Sequence, residues 1–202
     1  MLKSLKFGIS ITVLLVSVWL VLRALDAPGR LRAGIAWTLV VTLVVEMVVI
    51  AGQALRSRPS HFNTSTPLDA ALWQVMGAAI LIALGALLVL AIVATTYPLR
   101  LDPLVATAVR VGLWVLLLVA VSGMAMGGKS SHSVAPNGDL RVPHFFALHA
   151  LQVLPVTALI LQRLPLREGV RWALLITACV VWTGIAVGTL VQALAGRAVT
   201  GA

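Results

Sequence analysis

The sequence predicts an all-α integral membrane protein, a six-helix bundle forming a single transmembrane domain over residues 1–202. Three observations carry that reading. The chain is 60% hydrophobic and only 10% charged, with a mean hydropathy of +1.06, which is more apolar material than a soluble core of this length can bury. Windows without a charge recur along its whole length, each near or above the roughly 20 residues that cross a hydrocarbon core of about 30 Å. These windows are too long for barrel strands, and apart from closed barrels only helices satisfy their own backbone in lipid.

The first helix is expected from Phe7 to Leu25. Lys3 and Lys6 before an apolar run resemble the start of a secretion signal, but the run exceeds a usual signal core and "ALDAPG" is a poor cleavage site, so the helix reads as retained. The second runs from Arg32 to Leu55. The third, Pro67 to Tyr97, opens with Thr66 as cap, Pro67 at the first helical position and Asp69 in the first turn. Asp102 and Pro103 play the same roles for the fourth, Pro103 to Gly127. The fifth spans Pro143 to Leu164 and the sixth Gly169 to Leu194. The single cysteine, Cys179, lies in the sixth, which excludes an internal disulfide and reads as packing. Gly184 and Gly188 form a small-xxx-small step suited to close helix contact, inside the protein or between copies.

The connections are unequal. Asp26 to Leu31, Pro98 to Asp102 and Pro165 to Glu168 are tight, whereas Arg56 to Thr66 and Gly128 to Val142 are long and polar. Six crossings put both long loops on one membrane face, together with His61, His132 and His144, and His149 lies about one and a half turns into the fifth helix from that face. Cations flank the two faces evenly, so the positive-inside rule does not orient the chain. The formal charge of +9 comes from residues that punctuate the ends of apolar runs, a headgroup-level pattern that sets nucleic-acid binding aside.

Glu46 lies near the middle of the second helix, where an ionised carboxylate costs at least ~2.5 kcal/mol. Helical spacing puts Thr38, Thr42, Glu46 and Gln53 close to one line that leads to Arg56 and Arg58. Such an acid either hydrogen-bonds a neighbouring helix as packing glue or relays a proton or cation. On the fifth helix His149 and Gln152 share a face, while His144 and His149 point about 140° apart and do not chelate one metal by themselves. A metal site would be assembled across loops from His61, His144 and His149, with His132 and Asp139 nearby; imidazoles suit zinc, copper or iron. Met124 and Met126 add thioethers for copper or haem iron, or simply fill gaps.

The segments "RPSHFN" at Arg58 and "RVPHFF" at Arg141 share an arginine, a proline, a histidine and a phenylalanine in one frame. Proline directs the chain, arginine supplies a fork for phosphate or carboxylate, and histidine supplies a titratable partner. The bland alternative is an interfacial arginine among lipid phosphates, with histidine and Asn63 capping helix ends. The frames are not a duplicated unit, because His61 precedes its helix by several residues while His144 starts its own, and the flanking helices fall out of register. Arg110 near the opposite face reads as snorkelling. The chain has no phosphate loop, dinucleotide fingerprint or nucleophile triad.

At "GQALRSRPSHFNTSTPLDAALWQVMG" and "GDLRVPHFFALHALQVLP" the chain resembles a family of uncharacterised bacterial polytopic membrane proteins with a Ser-His-Phe-Asn loop and a Gly-Asp-Leu-Arg-x-x-His-Phe-x-x-Leu-His segment. The resemblance covers the second to fifth helices. It implies a bacterial inner-membrane location and supports Glu46, His61, Asn63, Arg141, His144 and His149 without giving them a role.

The expected site is a polar pocket opening on the histidine side, floored by Glu46 and Gln53 and rimmed by Arg58, His61, Asn63, Arg141, His144, His149 and Gln152. Its leading use is to bind a transition metal through His61, His144 and His149, a haem, or a small anionic ligand, in membrane redox work. The runner-up is a proton-coupled carrier using Glu46. The third is a structural subunit that pairs with a second copy or with a membrane-complex partner in the lipid bilayer.

Overall fold

A computed structural model of the chain describes residues 2–129, 131, 133–134 and 138–197. His132 lies outside them. The helices are α1 (Leu2–Ala24), α2 (Gly29–Leu55), α3 (Pro67–Thr96), α4 (Pro103–Leu116), α5 (Leu118–Lys129), α6 (Arg141–Arg163) and α7 (Glu168–Leu194). With α4 and α5 taken as one interrupted span, six helices are long and apolar enough to cross a membrane. The chain is therefore an all-α, multi-pass membrane protein. Trp37, Val48 and Val180 are each more than 60% exposed, as side chains facing lipid rather than water would be.

The expected caps form. Thr66 Oγ1 accepts from the Asp69 N–H at 3.1 Å, and Asp102 Oδ1 accepts from the Leu104 N–H at 2.8 Å, each with a proline at the start of the helix where no N–H is needed. The fourth span departs from expectation. It is interrupted at Leu117, and beyond the break Ala120 N–H bonds to Leu117 O three residues back, the spacing of a tightened turn. No proline or glycine stands at the break, which is why it was invisible in the sequence. In the long loop before α6, Ser133 pairs with Asp139 and Val134 with Gly138 in a two-residue antiparallel ladder. Helix α6 begins two residues earlier than expected, and Pro143 fits its first turn because the missing N–H would have no partner there.

The chain divides into two compact units, Met1–Pro98 and Leu99–Ala202. In the first, α2 packs against both α1 and α3. It buries the stripe Ile35, Leu39, Thr42, Leu43, Glu46, Val49, Ile50 and Gln53, with the spacing of one helix face. Helix α3 buries the small residues Ala79, Ala83 and Ala86 along with Leu87 and Leu90. Arg32 Nη1 donates to Leu22 O at 3.2 Å, so the first turn of α2 satisfies a carbonyl at the end of α1.

In the second unit α6 packs on α4, α5 and α7. At Gly112 a Cβ would stand 3.0 Å from both Ala150 O and Leu151 Cα, so the α4 and α6 backbones meet closely enough that a side chain there would press them apart. Trp182 Nε1 donates to Phe146 O at 2.9 Å and ties α7 to α6. Arg171 Nη2 donates to Leu164 O at 2.9 Å, the same reach back to a helix end that Arg32 makes in the first unit. Gly184 and Gly188 are exposed, and among the described residues a Cβ at either would meet nothing within 4 Å, so the step makes no close contact inside the chain.

Candidate functional site

In the first unit the polar line on α2 is built as the sequence implied. Thr42 and Glu46 are buried and Thr38 is half-buried. The Thr42 hydroxyl donates to Thr38 O at 2.7 Å, a bond within the helix that keeps its oxygen in the protein interior. Glu46 is 7% exposed, and among the described residues its carboxyl makes neither a hydrogen bond nor an ion pair. Towards the end of α2, Val49, Ile50 and Met76 form an apolar cluster, with Phe7 and Leu72 packed against it.

Beyond that cluster lies a second polar group, centred on a residue the sequence had assigned only to a helix start. Asp69 is 1% exposed. Its Oδ1 accepts from Gln53 Nε2 at 2.8 Å and Arg56 Nη1 at 3.1 Å, and its Oδ2 from Thr66 Oγ1 at 2.8 Å. Arg56 Nη1 also donates to Gln53 Oε1 at 2.7 Å. Asn63 braces the loop: its Nδ2 donates to Pro59 O at 3.1 Å, and its Oδ1 accepts from Ser65 N at 3.1 Å and Ser65 Oγ at 2.7 Å. Gln53 and Asn63, expected to face a ligand, thus spend their polar atoms on holding the loop to the ends of α2 and α3. The Arg58 side chain is exposed.

His61 sits above this network in an aromatic cluster. Its ring centroid is 5.3 Å from Phe7, 5.7 Å from Trp73 and 6.2 Å from Phe62, and its Nδ1 is 3.0 Å from Ser60 Oγ. Phe62 has φ 57°, a left-handed conformation costly for a bulky side chain, and its ring packs edge-on against Trp73 at 5.0 Å. Ser57 at φ 54° turns the chain out of α2.

In the second unit, Asp139 Oδ1 accepts from the Arg141 N–H at 2.9 Å and so satisfies the start of α6. The Arg141 guanidinium closes a fork on the same carboxylate, with Nη2 at 2.7 Å and Nε at 2.9 Å. Its charge is therefore met within two residues. His144 Nδ1 lies 2.9 Å from Ser122 Oγ, which also bonds to Val119 O at 3.1 Å just past the break in the fourth span. Ser122 is fully buried. Its one proton serves either Val119 O or His144, and the tautomer of His144 follows that choice: Nδ1 donates in the first case and accepts in the second. His149 is half-buried against the Phe145 ring, centroids 4.4 Å apart, and among the described residues it makes no hydrogen bond. Gln152 is half-buried one turn further along. Met126 packs against the cluster of Leu140, Leu190 and Ala193 as gap-filling core, while Met124 is 60% exposed.

The structure thus joins Gln53 and Asn63 through Asp69 and the loop, gives His61 an aromatic setting, and pairs His144 with Ser122 and Arg141 with Asp139. Among the described residues no three or more His, Cys, Asp or Glu side chains form a group that could hold a metal ion. Sequence reasoning missed Asp69 as a hub, Arg56 as its partner, and Ser122. The Thr66-x-x-Asp69 spacing of a capping box pointed to part of the first; nothing local marked Ser122. No family model, curated protein or solved structure matches the chain.

Proposed function

We propose that this is a bacterial inner-membrane protein working as a proton-coupled carrier, in which Glu46 binds and releases the proton. One observation carries the reading: a carboxyl group buried midway along a membrane-length helix with no partner among the described residues. Packing glue needs a bond to an acceptor or donor on a neighbouring helix, and among the described residues the Glu46 carboxyl makes none. A carboxylate left ionised and unpaired in such a place costs several kcal/mol, roughly, and a carboxyl meets that cost by taking a proton, which is the exchange a coupled carrier uses. The bacterial setting rests on the resemblance of the two motif segments. The test is proton flux in reconstituted vesicles: Glu46→Gln, which keeps the shape and removes the titrating group, is expected to abolish pH-driven uptake while the protein remains monodisperse. Unchanged flux in that variant would overturn the reading.

A second reading, favoured by the Ser122–His144 bond, is a ligand site in the second unit. An imidazole held at one ring nitrogen by a neighbouring hydroxyl is how ligating histidines are oriented, with the other nitrogen free to face a metal, a haem or, when protonated, an anionic group. No set of three protein ligands supports it, so any metal or haem would depend on fewer groups from the described residues. An absorption spectrum and metal analysis of the purified protein check it.

A further inference from the structure

The row of α2 residues four apart reads Thr38, Thr42, Glu46, Ile50, and its character changes at Glu46. Towards the start of α2 it is polar, and Thr38 lines a groove of about 380 Å³ together with Arg30, Leu31, Gly34, Ile35, Ala86 and Val89. The groove exists because Gly34 and Ala86 are small. Towards the end of α2 the row is closed: Ile50 is 1% exposed and Val49 7%, both packed with Met76 and backed by Phe7 and Leu72. Phe7 in turn touches His61, whose loop is pinned by Asp69. Gln53 is seven residues beyond Glu46, about 10 Å along the helix, with this apolar layer between them.

We infer that Glu46 exchanges its proton with the membrane face at the start of α2, by way of Thr42, Thr38 and the Arg30 groove, and that the layer of Val49, Ile50 and Met76 closes it off from the face bearing His61. This deepens the carrier reading and rests on it. On the two helices packed against α2 no other ionisable group competes: α1 carries none between Lys6 and Arg23, and α3 carries none beyond Asp69. This route leads to the face opposite the one on which the histidine-side pocket was expected to open.

The test is the reactivity of single cysteines, in a Cys179→Ala background, towards a membrane-impermeant cationic thiosulfonate added to right-side-out and inverted vesicles. Arg30→Cys and Thr64→Cys report which face is which. Thr38→Cys and Thr42→Cys are expected to react from the Arg30 face about tenfold faster or more than from the Thr64 face, because reactivity follows exposure of the thiolate to water. Val49→Cys and Ile50→Cys are expected to be silent from both faces. Reaction of either from the Thr64 face, or silence of both threonine positions from the Arg30 face, would overturn the route. The labelling does not depend on proton flux, so a Glu46→Gln variant with normal flux removes the carrier reading while leaving the access pattern to be judged by itself.

Discussion

Arg58 to Phe62 and Arg141 to Phe145 carry nearly the same residues and build two different objects. In the first the proline comes directly after arginine, beyond the end of α2, after Ser57 at φ 54° has already turned the chain out of the helix. The histidine then falls in a loop and the phenylalanine is forced to φ 57°, held there by Trp73. In the second the proline comes one residue later, in the first turn of α6, where it suits a helix start, and Phe145 is 55% exposed. The arginines differ as well: Arg58 is exposed, and Arg56, two residues before the frame, is the one that meets the buried Asp69, whereas Arg141 closes a two-residue fork on Asp139. Shared composition did not mean shared geometry; the element on which each frame lands decided what its arginine and histidine do.

That contrast can be broken in order of effect. Asp69→Ala is expected to do the most damage, since it strips Gln53, Arg56 and Thr66 of one shared acceptor and frees the loop that carries His61. Limited proteolysis should then cut between Arg56 and Thr66, and thermal melting in detergent should fall further than for any other change considered; a protected loop would show that the aromatic cluster alone holds it. Ser122→Ala should cost about 1 kcal/mol, the worth of one side-chain hydrogen bond, and should shift the ring NMR signals of His144 while leaving those of His61 in place. Equal shifts at both histidines would mean that the two frames are coupled after all. Asp139→Ala should cost less than about 1 kcal/mol in chemical denaturation, because its pair with Arg141 is solvent-exposed. A loss as large as that of Asp69→Ala would erase the distinction between hub and fork.

Much of this architecture was legible from residue order. Helix starts at Pro67 and Pro103 followed from local chemistry, because a cap oxygen and a proline act within one turn. Burial of Thr42, Glu46 and Gln53 on one face of α2 followed from the helical period. The break at Leu117 did not, because its bonds are backbone bonds that no side-chain signal announces. The role of Asp69 was half visible: its cap is local, but the bond from Gln53 crosses from another helix. The close fit at Gly112 was invisible for the same reason, since its partner Ala150 lies on α6.

Sequence by itself determined that this chain crosses a membrane six times as helices, because hydropathy and backbone satisfaction in lipid act on each segment separately. It also determined that an acid would lie midway along the second of them. Only the tertiary structure decided that Glu46 is buried without a partner among the described residues, that Asp69 gathers the loop's donors, and that an apolar layer stands between the two. Those outcomes depend on which side chains of α1 and α3 arrive at each level of α2, and no window along the chain contains that information.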